Sequence, residues 1–128
     1  RCKQAGQLAS KMRFTAAAWL GLLGDGVWLR NAQHANRQAA RLAEGLRERF
    51  GILPLHPRQA NAVFVTFPPA VRQQLHELGW VFYDFIGSGG HRLMCAWDTT
   101  DETIENFLED LAMAWERSDS SPAGQPSL

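Results

Sequence analysis

The apolar residues of this chain change their spacing at Gly51, and that change restricts the fold more than any other feature. Up to Phe50 they recur every three or four residues, as one face of a helix requires. Beyond Gly51 come short β-rich runs with alternating apolar positions, interrupted by one short helical stripe. A long helical stripe returns only after Trp97. Such a chain cannot be all-helical or all-β.

The first helical stretch runs from Gln4 to Leu23, with Leu8, Met12, Thr15/Ala16, Trp19 and Leu23 in helical register. Gly24 and Gly26, flanking Asp25, end it, because glycine tolerates the left-handed backbone of a helix C-terminus. A second helix is predicted from Val27 to Phe50, with the stripe Leu29, Ala32, Ala35, Ala39, Leu42, Leu46 and Phe50, and a stop at Gly51. Ile52–Leu55 reads as a short strand broken by Pro54. Asn61–Phe67 is a strand with Val63, Val65 and Phe67 on one face and Phe64 on the other. Pro68-Pro69 opens a short helix along Val71, Leu75 and Leu78. Trp80–Ile86 and Arg92–Trp97 are strands joined by Gly87-Ser88-Gly89-Gly90, hence a hairpin. The last helix carries Ile104, Phe107, Leu108, Leu111 and Trp115 on one stripe, with Thr99 and Glu102 spaced as a capping box. After Arg117 the sequence becomes polar and is expected to be a disordered tail, 117–128. The order predicts an α/β (α+β) domain, its mostly antiparallel sheet covered by helices on one face.

Composition removes several function classes. The 128 residues are 45% hydrophobic and 20% charged, with 13 basic residues against 13 acidic. That excludes a disordered chain, a collagen-like chain and a charge-driven nucleic-acid binder. No apolar run approaches the roughly 18 residues of a membrane span, so neither nucleic acid nor membrane is an expected partner. Cys2 and Cys95 offer no disulfide framework and no thiolate zinc site, which suits a reducing, cytoplasmic setting. The zero net charge hides an imbalance: residues 1–50 are mainly basic and 51–128 mainly acidic. The basic part either faces an anion or is offset by the acidic helices on one solvated surface. Arg1 stands in place of a start Met, so a piece of a longer polypeptide is expected.

Read alone, the residues assemble no complete active site. The glycines at 87–90 form either a hairpin turn or a phosphate loop. A phosphate loop needs a helix N-terminus behind it, and a β-rich segment follows instead. His34, His56, His76 and His91 share no metal-ligand spacing and read as surface or packing residues. Cys95, inside a predicted strand, reads as a buried, inert thiol. Arg92 follows the glycine turn and begins an apolar strand. It is either a surface salt-bridge partner or a guanidinium fork for a carboxylate. Lys11 and Arg13, with Lys3 and Arg1, form either an anion site or a solvated face. Lys3 and Lys11 are the only lysines. Neither sits in an evidently desolvated pocket, so neither is a convincing imine-forming nucleophile.

Four segments together resemble the C-terminal part of the low-specificity L-threonine aldolases, pyridoxal-phosphate (PLP) enzymes of the aspartate-aminotransferase fold, fold type I. They are residues 1–14 (RCKQAGQLASKMRF), Gly24-Asp25-Gly26-x-Trp28-Leu29-Arg30-x-Ala32-x-x-Ala35-Asn36, Ala60-Asn61-Ala62-Val63-Phe64-Val65, and Gly90-x-Arg92-Leu93-Met94-Cys95-x-Trp97-Asp98. The likeness spans roughly residues 1–116. It implies a linking helix over 1–25 and a small C-terminal α/β domain over 26–116. It further implies a cytoplasmic homo-oligomer, dimer or tetramer, that cleaves L-threonine and L-allo-threonine to glycine and acetaldehyde. Arg92 matches the family's arginine for the substrate carboxylate; Lys11 and Arg13 fall near a stretch that lies close to the cofactor phosphate. The family's Schiff-base lysine, ring-stacking histidine and acidic partner of the pyridine nitrogen have no match, so the cofactor would be held mainly by a domain preceding this stretch and the chain would be inactive alone. Cys2 departs from an expected basic residue and Ala18 from a polar one. Two other readings remain open: another β-hydroxy-amino-acid lyase of the same group, and a freestanding, non-catalytic interaction domain.

Overall fold

The computed structural model describes Gln4, residues 11–85 and residues 89–119. The chain divides into two compact units, Arg1–Asn31 and Ala32–Leu128.

In the first unit α1 spans Met12–Leu23. Residues 5–10 of the predicted helix, together with Lys3, lie outside the described residues, and Gln4, its expected start, falls in a turn. Lys11 precedes α1 in the left-handed region, at φ 60°, and its side chain caps nothing. The Gly24 N–H bonds back to the Leu20 carbonyl, and a 3-10 turn over Gly24–Gly26 follows, with Asp25 at φ 52° and Gly26 at φ 66°. The two glycines thus end the helix as expected. No residue of α1 is buried.

Helix α2 runs Val27–Phe50, with the predicted bounds. Its stripe buries Ala35, Ala39, Leu42 and Leu46, while Phe50 is half-buried and Leu29 and Ala32 are exposed. Gly51, at φ 67°, donates its N–H to the Arg47 carbonyl at 3.0 Å, closing the helix with a left-handed cap.

Three strands follow: β1 (Ala62–Val65), β2 (Tyr83–Phe85) and β3 (Gly90–Met94). They form one antiparallel sheet in the order β1-β3-β2, with β2 and β3 as the predicted hairpin. Because β3 begins at Gly90, no helix N-terminus stands behind the glycines; residues 86–88 lie outside the described set. Four strands were expected, and one of them, Ile52–Leu55, does not form. Pro54 and Pro57 lack the N–H groups a ladder needs. Only the Leu55 N–H reaches β1, at the Phe64 carbonyl, 2.8 Å. The strands are also displaced from their aromatic ends. Trp80 is held outside β2 by its indole N–H on Asp110, 2.7 Å. Trp97 falls in a turn that Thr99 closes by accepting the Ala96 N–H, 2.8 Å.

Helix α3 covers Pro69–Glu77 with proline at its first turn, and α4 covers Asp101–Asp119. The α4 cap is shifted by one residue from the predicted box: Thr100, not Thr99, accepts the Thr103 N–H at 3.1 Å. Thr99 is already committed to the preceding turn. The helix continues to Asp119, and residues 120–128 of the expected tail lie outside the described set.

The core joins one sheet face to three helices. Val63, Val65 and Leu93 pack with Leu42 and Leu46 of α2, Val71 and Leu75 of α3, and Leu108 and Leu111 of α4. Strand alternation explains the choice, since residues two apart share a face. The basic α2 and acidic α4 also pair. Arg41 bonds Asp101 at 2.7 Å and Glu105 at 3.1 Å; Arg49 bonds Glu105, and Gln38 bonds Asp101 at 2.8 Å. For these residues the charge imbalance is an offset of neighbouring helices, not an anion-binding face. No helix of the described residues is long and apolar enough to cross a membrane.

Candidate functional site

The sheet face turned away from the core carries the one sequence-predicted substrate residue. Arg92 lies mid-strand in β3. Its direct cross-strand neighbours are Phe64 on β1 and Tyr83 on β2, so the three residues form a row on one face. Phe85 and Met94 extend that face by alternation. Phe85 packs edge-on against Phe64, ring centroids 4.7 Å apart, and His56 lies edge-on to Phe64 at 5.7 Å. Arg92 is half-buried. Among the described residues no carboxylate pairs with it. A guanidinium held on a rigid strand beside aromatic rings, with its fork unclaimed, is suited to a carboxylate ligand.

One residue earlier the strand turns inward. His91 is 6% exposed and stacks on Phe67, centroids 5.6 Å apart with the planes 16° off parallel. Its Nδ1–H donates to Asp84 Oδ1 at 3.0 Å. Arg72 of α3 donates to the same carboxylate through Nε at 3.1 Å and Nη2 at 2.9 Å. This Arg72–Asp84–His91 network was not predicted. The available cue was Asp84 itself, a lone carboxylate between Tyr83 and Phe85.

Lys11 and Arg13 belong to the first unit, Arg92 to the second. Lys11 is exposed, and the Arg13 guanidinium lies 5.0 Å from the Phe14 ring centroid. The first turn of α1 holds no acidic residue, so nothing there neutralises the two cations locally.

The other candidates resolve into structural roles. His34 Nε2 donates to the Thr99 carbonyl at 2.7 Å, and His76 Nδ1 donates to the Trp80 carbonyl at 2.9 Å. Among the described residues no three His, Cys, Asp or Glu side chains could hold a metal. Cys95 is 3% exposed, and burial pushes its thiol pKa up, as expected of an inert cysteine. The cavity beside it measures about 100 Å³, below the roughly 300 Å³ at which small-molecule sites begin.

No family model matches the chain. It is 50% identical over 113 residues to a low-specificity L-threonine aldolase of Pseudomonas aeruginosa, covering 88% of this chain and 33% of that protein. It is 49% identical over 111 residues to a low-specificity L-threonine aldolase of a Pseudomonas species, strain NCIMB 10558, covering 87% and 32%. Its structure is similar to that of Leishmania major threonine aldolase, with a TM-score of 0.74 and 26% identity, over 88% of this chain and 33% of the other. The chain therefore spans about a third of the length of the relatives it matches. Its helices and three-stranded antiparallel sheet match the C-terminal domain of a threonine aldolase of fold type I. In sequence and in fold, this chain is similar to one third of the length of the low-specificity L-threonine aldolases.

Proposed function

We propose that this chain supplies the carboxylate grip of a PLP-dependent aldolase that cleaves L-threonine and L-allo-threonine to glycine and acetaldehyde. The observation that carries the reading is Arg92, mid-strand between Phe64 and Tyr83, with no carboxylate partner among the described residues. Two parallel N–H···O bonds from its fork would fix the substrate carboxylate. That would hold the Cα–Cβ bond in one orientation through the reaction. PLP, when bound, supplies the electron sink for breaking that bond.

The residues described fit part of that cofactor. Lys11 and Arg13 could neutralise its phosphate, being cations without a local acidic partner in the first turn of α1. They do not fit imine chemistry, because an imine-forming lysine is activated by desolvation and Lys11 is exposed. We therefore assign the imine-forming group to polypeptide other than the described residues. The chain alone would form no glycine from threonine. In this reading residues 1–25 link to a larger cofactor-binding domain and the small domain begins at residue 26; α4, reaching Asp119, carries it past the expected end at 116. In the same reading the working enzyme is a cytoplasmic homo-oligomer, and α1, which exposes Trp19, Leu20 and Leu23, offers apolar surface for other polypeptide to cover.

The test is Arg92→Ala in the natural protein that carries this chain. Loss of a bidentate charge-assisted pair costs about 2–4 kcal/mol, so KM for threonine should rise at least about thirtyfold. An unchanged KM removes Arg92 from the site. The aromatic surface of Phe64, Tyr83 and Phe85 favours a second reading, in which the preferred β-hydroxy amino acid carries an aryl group. Comparing kcat/KM for phenylserine and threonine decides between them.

A further inference from the structure

Strand β2 has little of its own to hold it in place. It is three residues long, lies at the sheet edge, and buries none of its side chains. Its ladder to β3 consists of Tyr83↔Arg92, Asp84↔His91 and Phe85↔Gly90. Two of those three pairs belong to the face that carries Arg92. The middle pair faces the other way, and there the strand is pinned. Asp84 accepts two hydrogen bonds from Arg72 on α3 and one from His91 on β3. A carboxylate only accepts, so His91 carries its proton on Nδ1 in either charge state. The His91 ring is itself immobilised, stacked on Phe67 and tilted against Phe82 at 5.5 Å.

We propose that the Arg72–Asp84–His91 network is a positioning device for Arg92. It ties the edge strand to α3 and to the residue immediately before Arg92, and so fixes the row Phe64–Arg92–Tyr83. Asp84, His91 and Arg72 touch no substrate in this account. They act through the strand geometry that presents the guanidinium fork. Without the network β2 would be held by its short ladder, and the Phe85–Phe64 contact would lose its fixed partner. Arg92 would then sample orientations in which only one of its two hydrogen bonds to a carboxylate is aligned. The inference rests on the carboxylate-binding reading of Arg92.

The experiment is a double-mutant cycle in the natural protein that carries this chain, with Asp84→Asn, Arg92→Ala and the double variant. Arg72→Ala serves as an independent lesion, and all variants are checked by thermal melting. Asp84 is exposed, and asparagine keeps its shape while removing the charge, so the fold should survive. Asp84→Asn and Arg72→Ala should each raise KM for threonine about three- to tenfold, with kcat nearly unchanged. In the Arg92→Ala background the Asp84→Asn penalty should vanish, because the residue it positions is gone. A structural role unrelated to Arg92 would give penalties that multiply, and that result overturns the inference. So does an unchanged KM in Asp84→Asn alongside a raised KM in Arg92→Ala. If Arg92→Ala leaves KM unchanged, the reading of Arg92 itself fails, which is a different and recognisable outcome.

Discussion

Helices α1 and α4 are both rich in apolar residues, yet one builds a core and the other buries nothing. In α4, Ile104, Phe107, Leu108, Leu111 and Ala114 recur every three or four residues and are all buried. Its charged residues occupy the remaining surface, where Asp101 and Glu105 meet Arg41 and Arg49 of α2. In α1, Phe14, Trp19, Leu20, Leu22 and Leu23 surround the axis, Leu20 is 75% exposed, and Arg13 is the sole charged residue. An amphipathic stripe specifies one buried face and one wet face. A helix that is apolar all round specifies burial on every side, which its own unit does not provide. The contrast separates residues that stabilise this fold from residues that leave apolar surface uncovered.

The largest expected effect tests that separation directly. Leu111 is fully buried and Leu108 nearly so. Truncating either to alanine leaves a cavity and should cost about 2–5 kcal/mol in urea unfolding of the chain. Leu20→Ala in α1 should change stability by less than about 0.5 kcal/mol, as an exposed substitution does. Equal losses at Leu20 and Leu111 would mean that α1 contributes to the core after all.

Glycines sharpen the comparison at a smaller scale. A Cβ on Gly45 of α2 would collide with the Leu108 side chain, whose Cδ2 would lie 3.3 Å away. Leu108 is buried and cannot swing clear, so α2 approaches α4 at this point only because residue 45 has no side chain. Gly45→Ala should therefore destabilise by about 1–3 kcal/mol, despite the gain in helix propensity. A Cβ on Gly21 of α1 meets nothing within 4 Å. Gly21→Ala should stabilise by up to about 1 kcal/mol. Thermal unfolding of the two variants gives the sign of each, and a stabilising Gly45→Ala would remove the close approach from the account.

The same contrast explains what was legible in the sequence. The bounds of α2 were readable because a long amphipathic stripe meets Gly51, and both signals are local. The strand ends were not: Trp80 is taken by Asp110, far along the chain, and Trp97 by a short turn whose closure by Thr99 competes with the helix cap expected there. Arg92 stood out by its place between a glycine turn and an apolar strand. Its row with Phe64 and Tyr83 required the register of three strands. The Asp84 network was less visible still. It joins residues 7 and 12 positions apart, and only a β3 starting at Gly90 turns His91 inward beside Asp84. An expected strand start at Arg92 left His91 without a place in the sheet register.

The smallest effect lies in the charges between α2 and α4. Asp101 sits below its ordinary pKa of 3.8, first through the Gln38 hydrogen bond and then through Arg41. Glu105 sits below its ordinary 4.5, first through the Arg49 hydrogen bond and then that of Arg41. Unfolding returns both carboxyls to ordinary values, so across this range the unfolded chain binds more protons. Stability from these pairs is therefore fully present above the ordinary carboxylate pKa and drains away as pH falls through the lowered folded values. All four charged groups reach solvent, so salt should weaken the effect. Chemical denaturation between pH 2 and 6 should show an acid limb that Glu105→Gln flattens and high salt reduces. Arg13→Gln in α1, where no acidic residue shares the first turn, should leave that limb unchanged. A limb untouched by Glu105→Gln would place the acid sensitivity elsewhere and reduce the contrast between the helices to their apolar faces alone.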